Sequence, residues 1–185
     1  MGTIVKYLLV IPAAPLIAAI LCGVVGPWLS KRVPKITAWI TVAALATSFV
    51  ASVMLYRELS SQHEQQHPDA SFSRVIEVWT WAHVSDAMVM APNVHDFRIA
   101  VTMRADGLSS MMLCMVTFVA SLVAIYAMGY MKGDRSYWRF FAYVSLFVFS
   151  MIMLVSVSNF VLLFVFWEAV GVCSYLLIGF WYSKP

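Results

Sequence analysis

Apolar side chains fall along this chain in five long blocks: Tyr7–Ser30, Ile36–Tyr56, Leu108–Met131, Phe140–Val157 and Phe160–Tyr182. Four exceed about 18 residues, the length at which a helix crosses the hydrocarbon core, and Phe140–Val157 stands at that threshold. None alternates residue by residue as a transmembrane strand does, so the pattern predicts spanning helices rather than a barrel. Pro12 and Pro15 are expected to bend or unwind the first half of the first span, with Pro27 near its exit. That span follows Lys6, but at about 24 residues it is longer than the roughly 7–15 of a signal-peptide core, and no small-residue cleavage site follows. It is read as a retained span. From Phe140 to Tyr182 the chain is apolar for about 43 residues, roughly 65 Å as one helix and twice the hydrocarbon core. A tight hairpin is therefore required. Ser156-Val157-Ser158-Asn159 is its turn, with Ser158 or Asn159 capping the fifth helix.

Between the second and third blocks, the polar stretch Arg57–Asp106 holds all four histidines and seven of the nine acids. Within it, Phe97, Ile99, Val101 and Met103 alternate with Arg98, Ala100, Thr102 and Arg104, and Val75–Trp81 is rich in β-formers. This predicts a β-hairpin lying on the outer membrane surface, its tryptophans at the interface. Asp106 is placed to cap the third helix by accepting its free N–H groups. The short connections Lys31, Arg32, Lys35 and Lys132, Arg135, Arg139, together with Lys184, fall on one side of the membrane. The other side has Lys6 and the long loop, whose four arginines face seven acids. The basic side is the inside, so the chain is N-out and C-in. The expected fold is thus an all-α polytopic membrane protein. Residues 1–57 hold helices 1 and 2, 58–106 form the external loop, and 107–185 hold helices 3 to 5.

Composition agrees: 62% of the 185 residues are hydrophobic and 11% charged, against roughly 25% charged in soluble domains. A soluble globule of this size could not hide so much apolar surface. The net charge of +3 is spread out, with no basic cluster interleaved with aromatics, so no nucleic-acid partner is expected. Cys22, Cys114 and Cys173 lie far apart inside apolar blocks and read as small buried hydrophobes.

Four motifs could carry chemistry. His63-Glu64-Gln65-Gln66-His67 matches the zinc-protease pattern H-E-x-x-H, which needs a packed helix, a third ligand and a cleft. Here the run is polar all round and Pro68 ends it, so a solvated loop without metal is expected. Gly129 and Gly133 form a G-x-x-x-G that lets the chain turn rather than binding helices together. Capping accounts for Asp106 without a relay role. Glu168 is different, being the sole charged residue between Arg139 and Lys184. With the fifth helix centred near Gly171, it lies about 4–5 Å from the midplane. Burying an acid there costs on the order of 2.5 kcal/mol or more, and such residues by default mark ion or proton paths. Gly171, Tyr175 and Gly179 share its face, residues suited to a bundle interior. No Lys, Arg or His occupies the interior of any span, so a cationic partner must come from outside these five helices.

The stretch Trp167-Glu168-Ala169-Val170-Gly171-Val172-Cys173-Ser174-Tyr175, continuing to Tyr182, resembles the fifth-helix signature of the complex I chain 5 family, the subunit L group of NADH-quinone oxidoreductases. Asp106-Gly107-Leu108-Ser109, Tyr126 with Tyr130-Met131, and Arg139-Phe140-Phe141-Ala142-Tyr143 resemble further stretches in the same order. Ala169 stands where the family usually has glycine. The resemblance implies an antiporter-like, proton-translocating subunit in a bacterial cytoplasmic membrane, with Glu168 as a relay carboxylate paired with a lysine on a later helix. It implies that the chain covers the N-terminal portion only. It also implies partners among the other membrane-arm subunits of complex I, which would carry NADH, flavin, iron–sulfur clusters and quinone, with no cofactor on this chain. Two other readings are the large subunit of a multisubunit sodium/proton antiporter or membrane hydrogenase, and a non-catalytic scaffold in which Glu168 is packing glue.

Overall fold

A first helix, α1 (Gly2–Ile20), runs unbroken through Pro12 and Pro15 in the computed structural model, which describes residues 2–28, 35–65, 73–90, 93–134 and 136–182. The expected unwinding of its first half does not occur. Pro15 has no N–H to offer the carbonyl of Ile11, four residues back, and Ser48 Oγ donates to that carbonyl instead at 2.8 Å. The irregularity falls later, in a π-helical turn at Leu21–Val25. There the Cys22 thiol donates to the Thr37 carbonyl (3.4 Å) and lies 3.7 Å from Thr41 Oγ1, which is 3.0 Å from Ser145 Oγ. Three helices meet at this buried cluster.

The second helix, α2 (Ile36–Gln65), buries Thr37, Thr41, Leu45, Ser48, Ser52 and Leu55 at three- to four-residue spacing. It continues nine residues past Tyr56, where the apolar block ends. Leu59 is buried in this extension, and Gln62 Nε2 donates to Glu58 Oε1 at 2.9 Å across one turn. Loss of apolarity marks where hydrocarbon ends, not where the helix does. His63 is thus on helical backbone, while His67 lies outside the described residues.

Strands β1 (Ser73–Met90) and β2 (Asn93–Asp106) form the expected hairpin, antiparallel from Ser73 opposite Asp106 to Met90 opposite Asn93. Register shifts at Glu77/Trp79, Thr80/Ala82 and Val84/Met88 bend and twist the ribbon. The root of β2 is packed on the bundle through Ala100, Met103 and Ala105, whereas Trp79 and Trp81 are exposed. Arg98 pairs with Glu77 across the strands. The Thr80 hydroxyl, with Arg98, holds the Glu77 carboxyl below the usual range.

Asp106 caps α3 (Gly107–Tyr130) as expected, its Oδ1 accepting from Ser109 N–H at 2.6 Å, while Oδ2 pairs with Arg104 Nε at 3.0 Å. Burial alone pushes this carboxyl up, but the Ser109 backbone and hydroxyl bonds and the Arg104 charge outweigh it and hold it below the usual range. A depressed carboxylate stabilises the fold fully above its unfolded value, about 3.9, and loses that contribution as pH falls through its lower folded value. Asp106→Ala is expected to cost about 1 kcal/mol at neutral pH. Melts of the purified protein should show this difference shrinking below pH 4.

The chain turns at Gly133, whose φ of +94° favours glycine, into α4 (Tyr137–Ser156) and then α5 (Phe160–Ile178), which ends in a 3-10 turn at Gly179–Trp181. A Cβ on Gly129 or Gly133 would meet nothing within 4 Å, in keeping with a turn rather than a helix–helix seam. Among the described residues five helices are long and apolar enough to cross a membrane, and the chain is an integral membrane protein. The hairpin lies at one end of the bundle, with the start of α2 and the α3–α4 turn at the other. Cys22 and Cys173 are buried and Cys114 half-buried, all as free thiols.

Candidate functional site

The helix that carries Glu168 is fixed at both ends. At its start Asn159, of the two expected caps, accepts from Val161 N–H through its side-chain oxygen (2.9 Å) and donates to the Ala100 carbonyl (3.4 Å). Ser158 instead joins the hairpin: its N–H donates to the Thr102 carbonyl and its hydroxyl to Thr102 Oγ1 at 2.7 Å, beside a bridge between Met103 and Val157. At the far end Phe180 is buried against Phe140, and Trp181 Nε1 donates to Asp134 Oδ2 at 2.8 Å. Between these ends α5 packs mainly against α4, through Leu162, Cys173 and the edge-on pair Phe149–Phe166.

Glu168 lies close to the middle of this helix. Taking Phe160–Trp181 as the span, it is about 4 Å from the midpoint at 1.5 Å per residue. Val161, Phe164, Val165, Gly171, Val172, Tyr175 and Gly179 share its side of the helix, and all are exposed, as is Glu168 itself. The interior expected for the Gly171–Tyr175–Gly179 face is therefore not built by the described helices. Only 11% of the apolar stretch of α5 is buried, against 50% of that of α4, so α5 forms the edge of the bundle. Glu168 makes no ion pair among the described residues. Chemically this is a titratable carboxyl near mid-membrane on an uncovered face, free to meet a partner from beyond these helices.

Sequence reasoning passed over two features. One is the basic end of α5, where the Arg139 guanidinium lies 5.2 Å over the Phe180 ring. From sequence Arg139 reads as a connection charge and as the start of the Arg139–Tyr143 resemblance, whereas it stands in the first turn of α4. The other is the hydroxyl stripe of α2, visible in the four-residue steps Thr37–Thr41 and Ser48–Ser52. No group of three or more His, Cys, Asp or Glu side chains is gathered to hold a metal among the described residues.

Residues 92–141 match the family model for the N-terminus of chain 5 of NADH-ubiquinone oxidoreductase (complex I). Over 97% of its length the chain is 35% identical to the chloroplastic NAD(P)H-quinone oxidoreductase subunit 5 of Carpenteria californica, covering 22% of that protein. Over 92% it is 36% identical to NADH-quinone oxidoreductase subunit L of Rickettsia typhi, covering 23%. Over its whole length it is 35% identical to the chloroplastic NAD(P)H-quinone oxidoreductase subunit 5 of Physcomitrium patens, covering 24% of that protein. The chain thus spans about a quarter of the length of the curated relatives it matches. Over nearly its whole length the chain is thus similar to the N-terminal portion of complex I chain 5, the subunit L and subunit 5 proteins.

Proposed function

We propose that this chain is the N-terminal portion of a proton-translocating membrane-arm subunit of a respiratory NADH:quinone oxidoreductase. The observation that carries this reading is Glu168, a lone carboxyl near mid-span on an uncovered helix face, in a chain similar throughout to subunits of that enzyme. A charged carboxylate at that depth is costly without a cation beside it, and an approaching cation lowers that cost. Glu168 would therefore take up a proton when its partner withdraws and release it when the partner returns. A lysine supplied by helices outside this chain is the proposed partner. Electron transfer would take place on other subunits, which bind NADH, flavin, iron–sulfur clusters and quinone.

The proposed setting is a bacterial cytoplasmic membrane with the hairpin outside. Cysteines placed singly at Ser61 and Ser136, in a cysteine-free background, should react with an impermeant thiol reagent from opposite sides. Labelling of both from one side would refute the arrangement. An affinity tag on the chain should bring down NADH:quinone oxidoreductase activity sensitive to inhibitors of that enzyme. Recovery of sodium/proton antiporter or hydrogenase subunits in its place would assign the chain to those assemblies.

A further inference from the structure

At the end of the bundle opposite the hairpin, a cavity of about 800 Å³ opens between the α3–α4 turn and the end of α5. Lys132, Asp134, Ser136, Arg139, Phe180 and Trp181 line it. Arg139 is its central cation. The Nε of Arg139 is buried and has no hydrogen-bond partner among the described residues. A buried N–H on a cation is costly to leave unmade, so the position calls for an acceptor. Asp134 is not that acceptor. One of its oxygens accepts from Ser136 N–H and the other from the Trp181 indole, both at 2.8 Å. With two cations and one carboxylate already engaged, the lining favours an anion.

A second cavity, about 610 Å³, lies between α3 and α4 at membrane depth. Met115, Val119, Val123, Phe140, Phe147 and Leu177 line it, and it is almost wholly apolar. Phe140 stands between the two, lining the groove while packing edge-on, at 5.5 Å, against Phe180 of the cationic cavity. Exposed Tyr130 and Tyr182 flank the same end, as aromatic residues do at a membrane interface. The cationic chamber at the interface and the apolar groove along the span thus adjoin across the Phe140–Phe180 ring pair. An apolar helix could fill the groove but would leave Arg139 Nε without an acceptor. A free anion could satisfy Arg139 but would leave the groove empty.

We propose that this two-part site binds an anionic phospholipid, its phosphate on Arg139 and Lys132 and one acyl chain in the groove between α3 and α4. Basic pockets between spanning helices hold lipid headgroups by this combination of charge and depth.

The test uses the assembled protein, purified through a tag on this chain and reconstituted in nanodiscs of equimolar phosphatidylglycerol and phosphatidylcholine. Native mass spectrometry after detergent release should find phosphatidylglycerol retained in preference to phosphatidylcholine. Arg139→Gln should lower that retention about fivefold, the factor one interfacial basic residue contributes. Lys132→Gln changes an exposed side chain and repeats the headgroup test if Arg139→Gln fails to assemble. Val123→Trp, at a half-exposed position, should fill the groove and also release the lipid. Arg98→Gln, on the hairpin, should change nothing. Equal retention of both lipids, or retention unaffected by the Gln and Trp variants, would overturn the proposal. Displacement by millimolar inorganic phosphate would reassign the cations to a soluble anion. Cross-linking of Val123→Cys to another helix, with no lipid retained, would assign the groove to that helix. Either result also overturns it.

Discussion

Glu168→Gln should leave assembly intact and slow NADH-driven proton transport on the order of a hundredfold, the scale on which a positioned proton-transfer group contributes. Gln matches Glu in size and hydrogen bonding but cannot carry a proton on and off. The structure makes the experiment clean. Glu168 is exposed on the outer face of α5 and has no ion-pair partner among the described residues, so the substitution disturbs no packing within these five helices. Glu168→Asp keeps the charge but shortens the reach by about 1.5 Å, one carbon–carbon bond, and should retain part of the rate. Proton uptake by sealed vesicles measures transport, and native gel mobility measures assembly. Full transport by an assembled Gln variant would mean that titration at this position is dispensable, and the relay reading would fall.

The spans were legible because hydrocarbon imposes one rule, about 20 apolar residues with every backbone group satisfied inside the segment. That rule located all five helices and required the turn at Ser156–Asn159. The hairpin and the Asp106 cap were equally local, written in alternation and in one side chain's reach to Ser109. What escaped was long-range. Pro12 and Pro15 predicted a break because their own helix loses hydrogen bonds, but Ser48 restores the one at Ile11 from another helix. The end of α2 was placed nine residues early because hydropathy reports the membrane boundary and not helix propensity. Glu168 was found from its charge and depth alone, yet the face it shares with Gly171 and Tyr175 suggested an interior that these helices leave open. The contact Arg139 makes escaped for the opposite reason: Phe180, the ring beneath it, is forty-one residues on, a separation that no periodicity can bridge.

The same contrast separates the glycines, and it predicts a large structural effect at one that carries no motif. Gly26 is buried at the end of the first span, and a Cβ built there would stand 3.0 Å from Trp138 Cβ and 3.2 Å from Trp138 Cε3. The nearer atom is fixed to the α4 backbone, so no rotamer change relieves the contact. In a bilayer, where helices gain nothing by hiding apolar surface from lipid, close packing of small residues is a main source of association. Gly26→Val should therefore push α1 away from α4 and cost about 1–3 kcal/mol, as overpacking does. The shift should also open the Cys22–Thr41–Ser145 cluster one turn away, since its 3.0 Å hydroxyl contact joins α2 to α4 beside the same approach. Gly23 supplies the control, because a Cβ there meets nothing within 4 Å. Gly23→Ala should melt at or slightly above the parent, while Gly26→Val melts lower and exposes the buried Cys22 thiol to N-ethylmaleimide. Equal melting and equal thiol protection in the two variants would show that α1 and α4 are not held together at Gly26.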